Sequence, residues 1–317
     1  MFRIVNALRC YAAYLFSLCG RIRVRHMPMF VSVEPANICQ LRCSECPVGQ
    51  RANSANAQHF MSMPVWQRVI EQVAPYAYTM QFYFQGEPLL NPLLPKMIAR
   101  AREAGLFTVV STNAQALTRN MAHELVKSGL HRIIVSIDGF SEESYAAYRV
   151  GGDLHRALEG MQFLREAKAA YGSSICIELQ VLRLRSNEHE WEWIRQHYRT
   201  LGATRLVFKT AQLYDYQHGH SLMPTDERYS RYKKGEDGTY HLIRPRRRSC
   251  YRLWSGCVVT TTGEVLPCCY DKAGEHAFGS LIEQHIEQVW HNKNADDFRR
   301  QVLQDSHAIP ICRECYY

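Results

Sequence analysis

The sequence predicts an α/β fold, a partial (β/α)6 barrel of the TIM type followed by a small α+β extension. Short runs rich in β-branched and aromatic residues alternate with longer amphipathic stretches between residues 30 and 211, which is the pattern of parallel βα units. Six such units fit this length and eight do not, so we expect an incomplete barrel. Cysteines then return near the end of the chain. We expect four parts: an N-terminal helix and linker (1–29), the barrel (30–211), a connecting segment (212–249) and a cysteine-bearing extension (250–317).

The alternation places each element of the barrel. Pro64 is expected in the first turn of a helix, Gly129 is expected to stop one, and Asn187 with Glu190 is expected to form a capping box. Strands are predicted near 30–36, 78–84, 106–111, 132–137, 174–182 and 203–209, and helices near 63–74, 92–104, 118–128, 153–170 and 187–200.

Residues 2–18 predict an amphipathic helix with Arg21, Arg23, Arg25 and His26 behind it. The apolar stretch 11–19 is too short to span a membrane. We expect this helix to pack against the barrel, and contact with a membrane surface is the alternative.

Three cysteines, Cys39, Cys43 and Cys46, follow the first predicted strand with the spacing CxxxCxxC. Thiolates are soft ligands that select iron–sulfur clusters or zinc. A cubane cluster has four irons, so three local cysteines leave one iron open for a cofactor or substrate, as catalytic metal sites do. The alternative is a zinc site that a distant His or Cys completes.

Polar motifs follow the next strands at their carboxyl ends, where such barrels gather their site residues. Residues 78–84 run into Gln85, Gly86, Glu87 and Pro88, and a glycine followed by a carboxylate permits close approach of a ligand and offers an acceptor to an ammonium group. The next two predicted strands end at Asn113 and at Ser136 with Asp138.

With these motifs the sequence resembles the radical S-adenosylmethionine (SAM) enzymes. The resemblance implies a barrel open at one side and SAM bound through its amino and carboxylate groups at the unique iron of a 4Fe-4S cluster. It implies that Gln85, Gly86 and Glu87 hold the amino group, with Gln85 where the family has its first glycine. Asn113 and Ser136 would contact the ribose or carboxylate of SAM, and Arg149 would pair with the carboxylate. Ala114 stands where the family often has glycine.

The C-terminal part predicts a second soft-metal site. Two short β runs surround Thr262 and Gly263, a hairpin signal, and helical patterns follow at 281–290 and 296–303. The pattern resembles the SPASM or twitch extension of radical SAM enzymes, which implies auxiliary 4Fe-4S clusters; the chain stops two residues after Cys315, so we expect one. A zinc knuckle is the alternative. We expect Cys268 as a ligand in preference to Cys257 or Cys269, in the set Cys250, Cys268, Cys312 and Cys315.

The resemblance implies reductive cleavage of SAM to a 5′-deoxyadenosyl radical, which abstracts hydrogen from an unactivated C–H of a peptide or protein substrate in a maturase-type oxidation or epimerisation. One alternative is a twitch-type dehydrogenase of a carbohydrate or aminocyclitol alcohol. Another is a non-catalytic iron–sulfur or zinc module. Asp138 is the candidate for substrate contact or proton removal, and Cys269 is the candidate hydrogen donor in an epimerase, with simple packing as the alternative.

Composition sets the compartment and partners. A chain of 317 residues with 46% hydrophobic content buries a core without disulfides, and clusters need thiolates, so we expect the reducing cytoplasm. The net charge is +8, with the densest basic run at 244–248, but the remaining charge is dispersed and no nucleic-acid-binding module is recognised. We expect instead that this run is an exposed basic linker or an Arg cluster that meets an acidic substrate or redox partner, with a flavodoxin or ferredoxin as electron donor.

Overall fold

One nine-stranded sheet carries the fold in the computed structural model, which describes residues 2–50, 59–243 and 249–315. The first six strands pair in parallel in chain order. Three strands from the C-terminal part extend the sheet beside the first of these six, and in the described residues the sixth strand has one neighbour, so the barrel is open there. The predicted α/β partial barrel is confirmed. The six strands are β1 (Phe30–Val33), β2 (Thr79–Phe82), β3 (Phe107–Thr112), β4 (Arg132–Ser136), β5 (Cys176–Arg183) and β6 (Arg205–Thr210).

The helices pack on the outer face of the sheet, where alternate strand residues such as Val31, Phe82, Val135 and Leu179 are fully buried. The five helices predicted within the barrel all form, although the last begins as a 3-10 turn at Arg185–Glu190. The helices are α1 (Phe2–Leu18), α2 (Met63–Val73), α3 (Leu94–Glu103), α4 (Arg119–Lys127), α5 (Glu142–Ala146), α6 (Leu154–Ala170), α7 (Trp191–His197), α8 (Tyr251–Ser255), α9 (Ile286–Trp290), α10 (Lys293–Asp305) and α11 (Pro310–Arg313).

Local signals set most helix ends, with one exception. Pro64 lies in the first turn of α2, and Gly129 follows α4 with a φ of 76° that favours glycine. The predicted capping box of Asn187 and Glu190 is wrong. Asn187 Oδ1 accepts from the Leu184 N–H and from the Trp191 indole, while Glu190 accepts from the Phe140 N–H and from the Ser144 hydroxyl of α5. Tertiary hydrogen bonds have replaced the local cap.

The C-terminal part joins the same sheet. The predicted hairpin forms from β9 (Gly256–Val259) and β10 (Glu264–Leu266), followed by the short β11 (Gly279–Ser280). Strand β9 pairs in parallel with β1, in a register that sets Gly256 against Phe30. A Cβ at Gly256 would lie 2.4 Å from the Phe30 carbonyl oxygen, so glycine is needed for this close approach. The extension is thereby fixed next to the strand that leads into Cys39.

The connecting segment contains a hairpin of its own, which the sequence did not predict. Strands β7 (Tyr232–Lys234) and β8 (Tyr240–Leu242) pair antiparallel, and Tyr232 joins a small apolar cluster with Leu184, Leu213 and Tyr216. The basic run at 244–248 lies outside the described residues.

Helix α1 packs against the barrel, as expected. Arg3 donates to the carbonyl oxygens of Ala74, Ala104 and Gly105, which lie at the ends of α2 and α3. Asn6 exchanges hydrogen bonds with the backbone of Met27, just before β1. The helix therefore lies across the end of the barrel at which the parallel strands begin. No helix in the described ranges combines the length and apolar character that crossing a bilayer requires.

Candidate functional site

The three-cysteine loop follows β1 at the carboxyl ends of the strands, and Gly86 holds it there. Gly86 has a φ of +65°, and a Cβ on it would lie 2.3 Å from the Ala36 carbonyl oxygen and 2.7 Å from that of Ile38. The Glu87 N–H donates to the Ile38 oxygen at 2.8 Å. Only glycine permits this approach, so the motif after β2 fixes the backbone immediately before Cys39.

The thiols of the loop are surrounded by donors. Asn113 Nδ2 and the Leu41 N–H each donate to Cys39 Sγ at 3.4 Å, and Arg149 Nη1 lies 3.9 Å from Cys43 Sγ. Burial raises the pKa of Cys39 to about 11, and burial also raises the pKa of Cys43, which Arg149 partly offsets. Burial therefore disfavours the thiolates of Cys39 and Cys43, and a bound metal would supply the positive charge that stabilises them.

Glu87 is nearly fully buried and ties two strand ends together. Its Oε1 accepts from the Thr112 hydroxyl at 2.7 Å and the Leu89 N–H at 3.1 Å, and its Oε2 accepts from the Asn113 N–H at 2.8 Å. Burial raises the pKa of this carboxyl, and the three donors oppose the rise. Glu87 thus positions Asn113, whose own side chain reaches Cys39.

Gln85 provides an acceptor for a ligand. Its Nε2 donates to the Lys272 carbonyl oxygen at 2.9 Å, which orients the amide. Its Oε1 is buried and has no hydrogen-bond partner in the described part of the chain. An unpaired buried acceptor costs free energy unless a ligand donates to it, and an amino-bearing ligand would supply such a donor.

The remaining predicted residues of this site lie on the same rim. Ser136 ends β4, and its Oγ is 3.5 Å from Gln180 Nε2 of β5. Asp138 is fully buried, with Oδ1 accepting from the Leu182 N–H and Oδ2 paired with Arg149. Both its oxygens are engaged, which favours a positioning role over direct substrate contact. The described side chains include no three His, Cys, Asp or Glu that converge on a single ion. A cubane does not require this, since each thiolate binds a different iron.

A second group of cysteines gathers in the extension. Burial raises the pKa of Cys268, and the neighbouring thiols of Cys269, Cys250 and Cys312 raise it further. The Cys315 N–H donates to the Cys312 carbonyl oxygen in the turn that carries both. All twelve cysteines lie within the described ranges, and none forms a disulfide.

Cys257 and Cys269 differ from this group. Cys257 lies on β9 in the main apolar core, where burial raises its pKa to about 12 and Arg299 opposes the rise. Cys269 is partly exposed, and Arg252 Nη1 donates to its Sγ at 3.3 Å. Cys268 is partly exposed as well, and it is the thiol that Cys250 and Cys312 influence.

Cationic side chains that the sequence did not single out border both cysteine groups. Lys272 Nζ donates to the Phe84 carbonyl oxygen at 3.2 Å and lies over the Phe84 ring. Burial lowers the pKa of Lys272, although Cys269 and Cys46 favour its charge. Arg231 bonds Thr210 at the end of β6 and approaches the Tyr270 hydroxyl. Neither position belongs to a local motif, so no sequence signal marks it.

Comparisons with known proteins cover both parts of the chain. Residues 33–179 match the Radical SAM superfamily, and residues 250–316 match SPASM, an iron–sulfur cluster-binding domain. The PqqA peptide cyclase of Bradyrhizobium diazoefficiens is 25% identical over 295 residues, which cover 85% of this chain and 74% of that protein. The AdoMet-dependent heme synthase of Methanosarcina barkeri is 23% identical over 333 residues, which cover 93% of this chain and 90% of that one.

Solved structures share the fold at low identity. Streptococcus suis SuiB bound to its precursor peptide SuiA aligns with a TM-score of 0.66 and 12% identity, over 93% of this chain and 70% of that one. BtrN in complex with AdoMet and 2-DOIA aligns with a TM-score of 0.55 and 19% identity, over 91% of this chain and 92% of that one.

Proposed function

Because the chain is a radical SAM enzyme that ends in a SPASM extension, we propose that it oxidises or epimerises a residue of a peptide or protein substrate. The predicted cofactor classes, SAM with a 4Fe-4S cluster and auxiliary iron–sulfur binding in the extension, follow from these two domains. The reaction outcome, the substrate and a single auxiliary cluster are parts of the proposal.

One observation carries the peptide assignment: the similarity to the PqqA peptide cyclase runs through the barrel and the extension together. The fold shared with SuiB, solved with a precursor peptide, agrees with it. The sheet ends at β6 in the described residues, and an open edge of this kind suits the approach of an extended polypeptide from the side.

The residues at the site fit the bound groups. When bound, SAM and the reduced cluster supply a 5′-deoxyadenosyl radical that abstracts a substrate hydrogen. Cys39, Cys43 and Cys46 would hold the cluster, and Gln85 Oε1 would accept from the amino group of SAM. Gly86 and Glu87 keep these groups in place, which matters because a radical must meet only its intended partner.

Three further residues are assigned to SAM, and four to the extension. Arg149 would face the carboxylate of SAM, and Asn113 and Ser136 would meet its ribose or carboxylate; all three lie on the rim that carries Cys39. The auxiliary cluster would be held by Cys250, Cys268, Cys312 and Cys315.

Two candidate roles depend on the outcome of the reaction. In an epimerisation, the partly exposed Cys269 thiol would return a hydrogen atom to the substrate radical, with Arg252 fixing its sulfur. Asp138 would act by holding Arg149 in place. A flavodoxin or ferredoxin in the cytoplasm would supply the electron, and the net charge of +8 suits an acidic donor.

A second candidate is a dehydrogenase of a carbohydrate or aminocyclitol alcohol. It is favoured by one observation: the chain and BtrN, solved with 2-DOIA, cover one another almost end to end. The lower TM-score of this pair, 0.55 against 0.66 for SuiB, makes it the second choice.

The test uses anaerobically reconstituted protein with SAM and dithionite. We expect 5′-deoxyadenosine, and we expect Cys43→Ala to abolish its formation while Cys10→Ala, a control at another buried cysteine, retains it. A peptide encoded beside the gene should then increase nucleoside formation and either lose two hydrogens or gain deuterium from D2O. Stimulation by an aminocyclitol and by no such peptide would establish the second candidate instead.

A further inference from the structure

Helix α1 buries its small and polar side chains and exposes its large apolar ones, the reverse of a helix that covers a hydrophobic core. Its buried face carries small or polar side chains, Asn6, Cys10, Ala13 and Ser17. Its outward face carries large apolar ones, and seven of the seventeen exposed large apolar side chains in the described ranges lie on this one helix. These seven are Phe2, Ile4, Val5, Leu8, Tyr11, Leu15 and Leu18, with 40% to 78% of their surface exposed.

This orientation is fixed by polar bonds to the barrel. Arg3 is held by three carbonyl oxygens, Asn6 by the backbone of Met27, and Cys10 Sγ donates to the Trp254 carbonyl oxygen at 3.5 Å. The helix therefore cannot roll to bury its apolar face without breaking these bonds. An exposed apolar face this large marks an interaction surface.

Arginines lie along one flank of the apolar face. After α1 the chain reverses at Gly20, which has a φ of 73°, and runs back beside the helix to Met27. The Arg23 guanidinium lies over the Phe16 ring at 5.4 Å. Arg25 lines a cleft of about 420 Å³ together with Phe2, Val5 and Arg9, and Glu287 is the acidic residue in its wall. Arg21, at the turn, is exposed.

We propose that α1 and residues 21–25 dock the protein on the surface of an anionic phospholipid bilayer. A wide apolar face with arginines at its edge and no acidic residue in the helix is what an interfacial helix needs. The apolar side chains enter the headgroup boundary, Tyr11 lies at its edge, and the arginines contact lipid phosphates.

Charge and shape favour a bilayer over a second copy of the chain. A two-stranded helical seam is narrow and is flanked by charged pairs of both signs. Here Ala12 and Phe16 flank the exposed apolar face, and the only charges of the helix, Arg3 and Arg9, are both positive. Two copies would bring like charges together.

Docking of this kind leaves the cysteine site accessible. Helix α1 lies at the end of the barrel where strands begin, whereas Cys39 follows the carboxyl end of β1. The mouth of the barrel would then face away from the lipid. This proposal is independent of the substrate assignment above.

The test is flotation of the reconstituted protein with vesicles of phosphatidylcholine alone or with about 30% phosphatidylglycerol. We expect binding to the anionic vesicles only, weakened by about 0.5 M salt. Leu8→Gln with Leu15→Gln should reduce binding at least tenfold. Arg21→Gln, Arg23→Gln and Arg25→Gln should each reduce it about fivefold.

Ile282→Gln is the matched control, because Ile282 is 42% exposed, close to the 45% of Leu15, and lies in the extension. It should bind as the unchanged protein does, and all variants should keep the same melting temperature and cluster absorbance. Three results would overturn the proposal: no binding to anionic vesicles, equal binding to neutral ones, or a dimer in sedimentation equilibrium that Leu8→Gln with Leu15→Gln dissolves.

Discussion

Arg149 and Asp138 form a buried ion pair in which Nε and Nη2 of the arginine both donate to Oδ2 of the aspartate, at 2.7 and 2.6 Å. Burial disfavours the charge of Arg149, yet Asp138 holds its pKa above the ordinary value. The third guanidinium nitrogen, Nη1, is left near Cys43. Asp138 thus aims one nitrogen of Arg149 at the cysteine loop.

Asp138→Asn should destabilise the fold strongly. The amide cannot balance the buried guanidinium, and removing one partner of a buried pair costs about 3 kcal/mol or more. We expect a lower melting temperature under anaerobic conditions. Glu103→Gln, which breaks an exposed pair with Arg100, should change stability by less than about 0.5 kcal/mol. Equal melting temperatures for the two variants would contradict a positioning role for Asp138.

Gly86→Ala should displace the cysteine loop. The new Cβ would overlap the carbonyl oxygens of Ala36 and Ile38, neither of which is a flexible side-chain end, and the positive φ adds strain. We expect a cost of about 2 kcal/mol or more and a lower iron content after reconstitution. Gly172→Ala separates the two effects, since Gly172 has a φ of +56° but open space around it. The Gly172→Ala variant should lose about 1 kcal/mol of stability and keep its iron content.

Much of the barrel could be predicted because its signals are local. Each of the six strands is a short run of β-branched and aromatic residues, and the motifs at 85–88, Asn113 and Asp138 follow such runs directly. Parallel strands place their carboxyl ends at one edge, so these motifs had to meet.

What the sequence did not predict depends on distant partners. The pairing of β9 with β1 joins residues 256 and 30, and no short-range pattern specifies it. The contact between Lys272 and Phe84 likewise joins residues far apart in sequence. Periodicity predicted that α1 is amphipathic, but the hydrogen bonds of Arg3 and Asn6 decide which face is buried.

His26 should make stability depend on pH. It is buried against the Trp254 carbonyl oxygen, and burial, with Arg299 and His291 nearby, lowers its pKa from 6.5 to about 4. The unfolded chain therefore takes up a proton first as pH falls, and stability is lost between pH 6.5 and 4. From about pH 7.5 to about pH 5.5 we expect a loss of about 1 kcal/mol from this group.

Urea unfolding at the two pH values measures the loss, with cluster absorbance followed as a check that the metal stays bound. His26→Gln should be less stable at pH 7.5 but should show a pH slope smaller by that amount. An unchanged slope would mean that His26 does not titrate as its burial implies.

Replacement by alanine should lower the iron content at Cys268 and leave it unchanged at Cys257. Cys268 lies among the thiols of Cys250, Cys269 and Cys312, whereas Cys257 lies in the apolar core beside β1. If the auxiliary cluster is bound as proposed, Cys268→Ala should lose about four of about eight irons per chain. Cys257→Ala should keep all of them and lose about 1 kcal/mol of stability, the usual cost of a small cavity.

Cys269→Ala decides whether Cys268 or Cys269 is the ligand. It should retain the iron while removing the thiol that Arg252 contacts. Loss of four irons in Cys269→Ala with full iron in Cys268→Ala would move the ligand by one residue and remove Cys269 as a hydrogen donor.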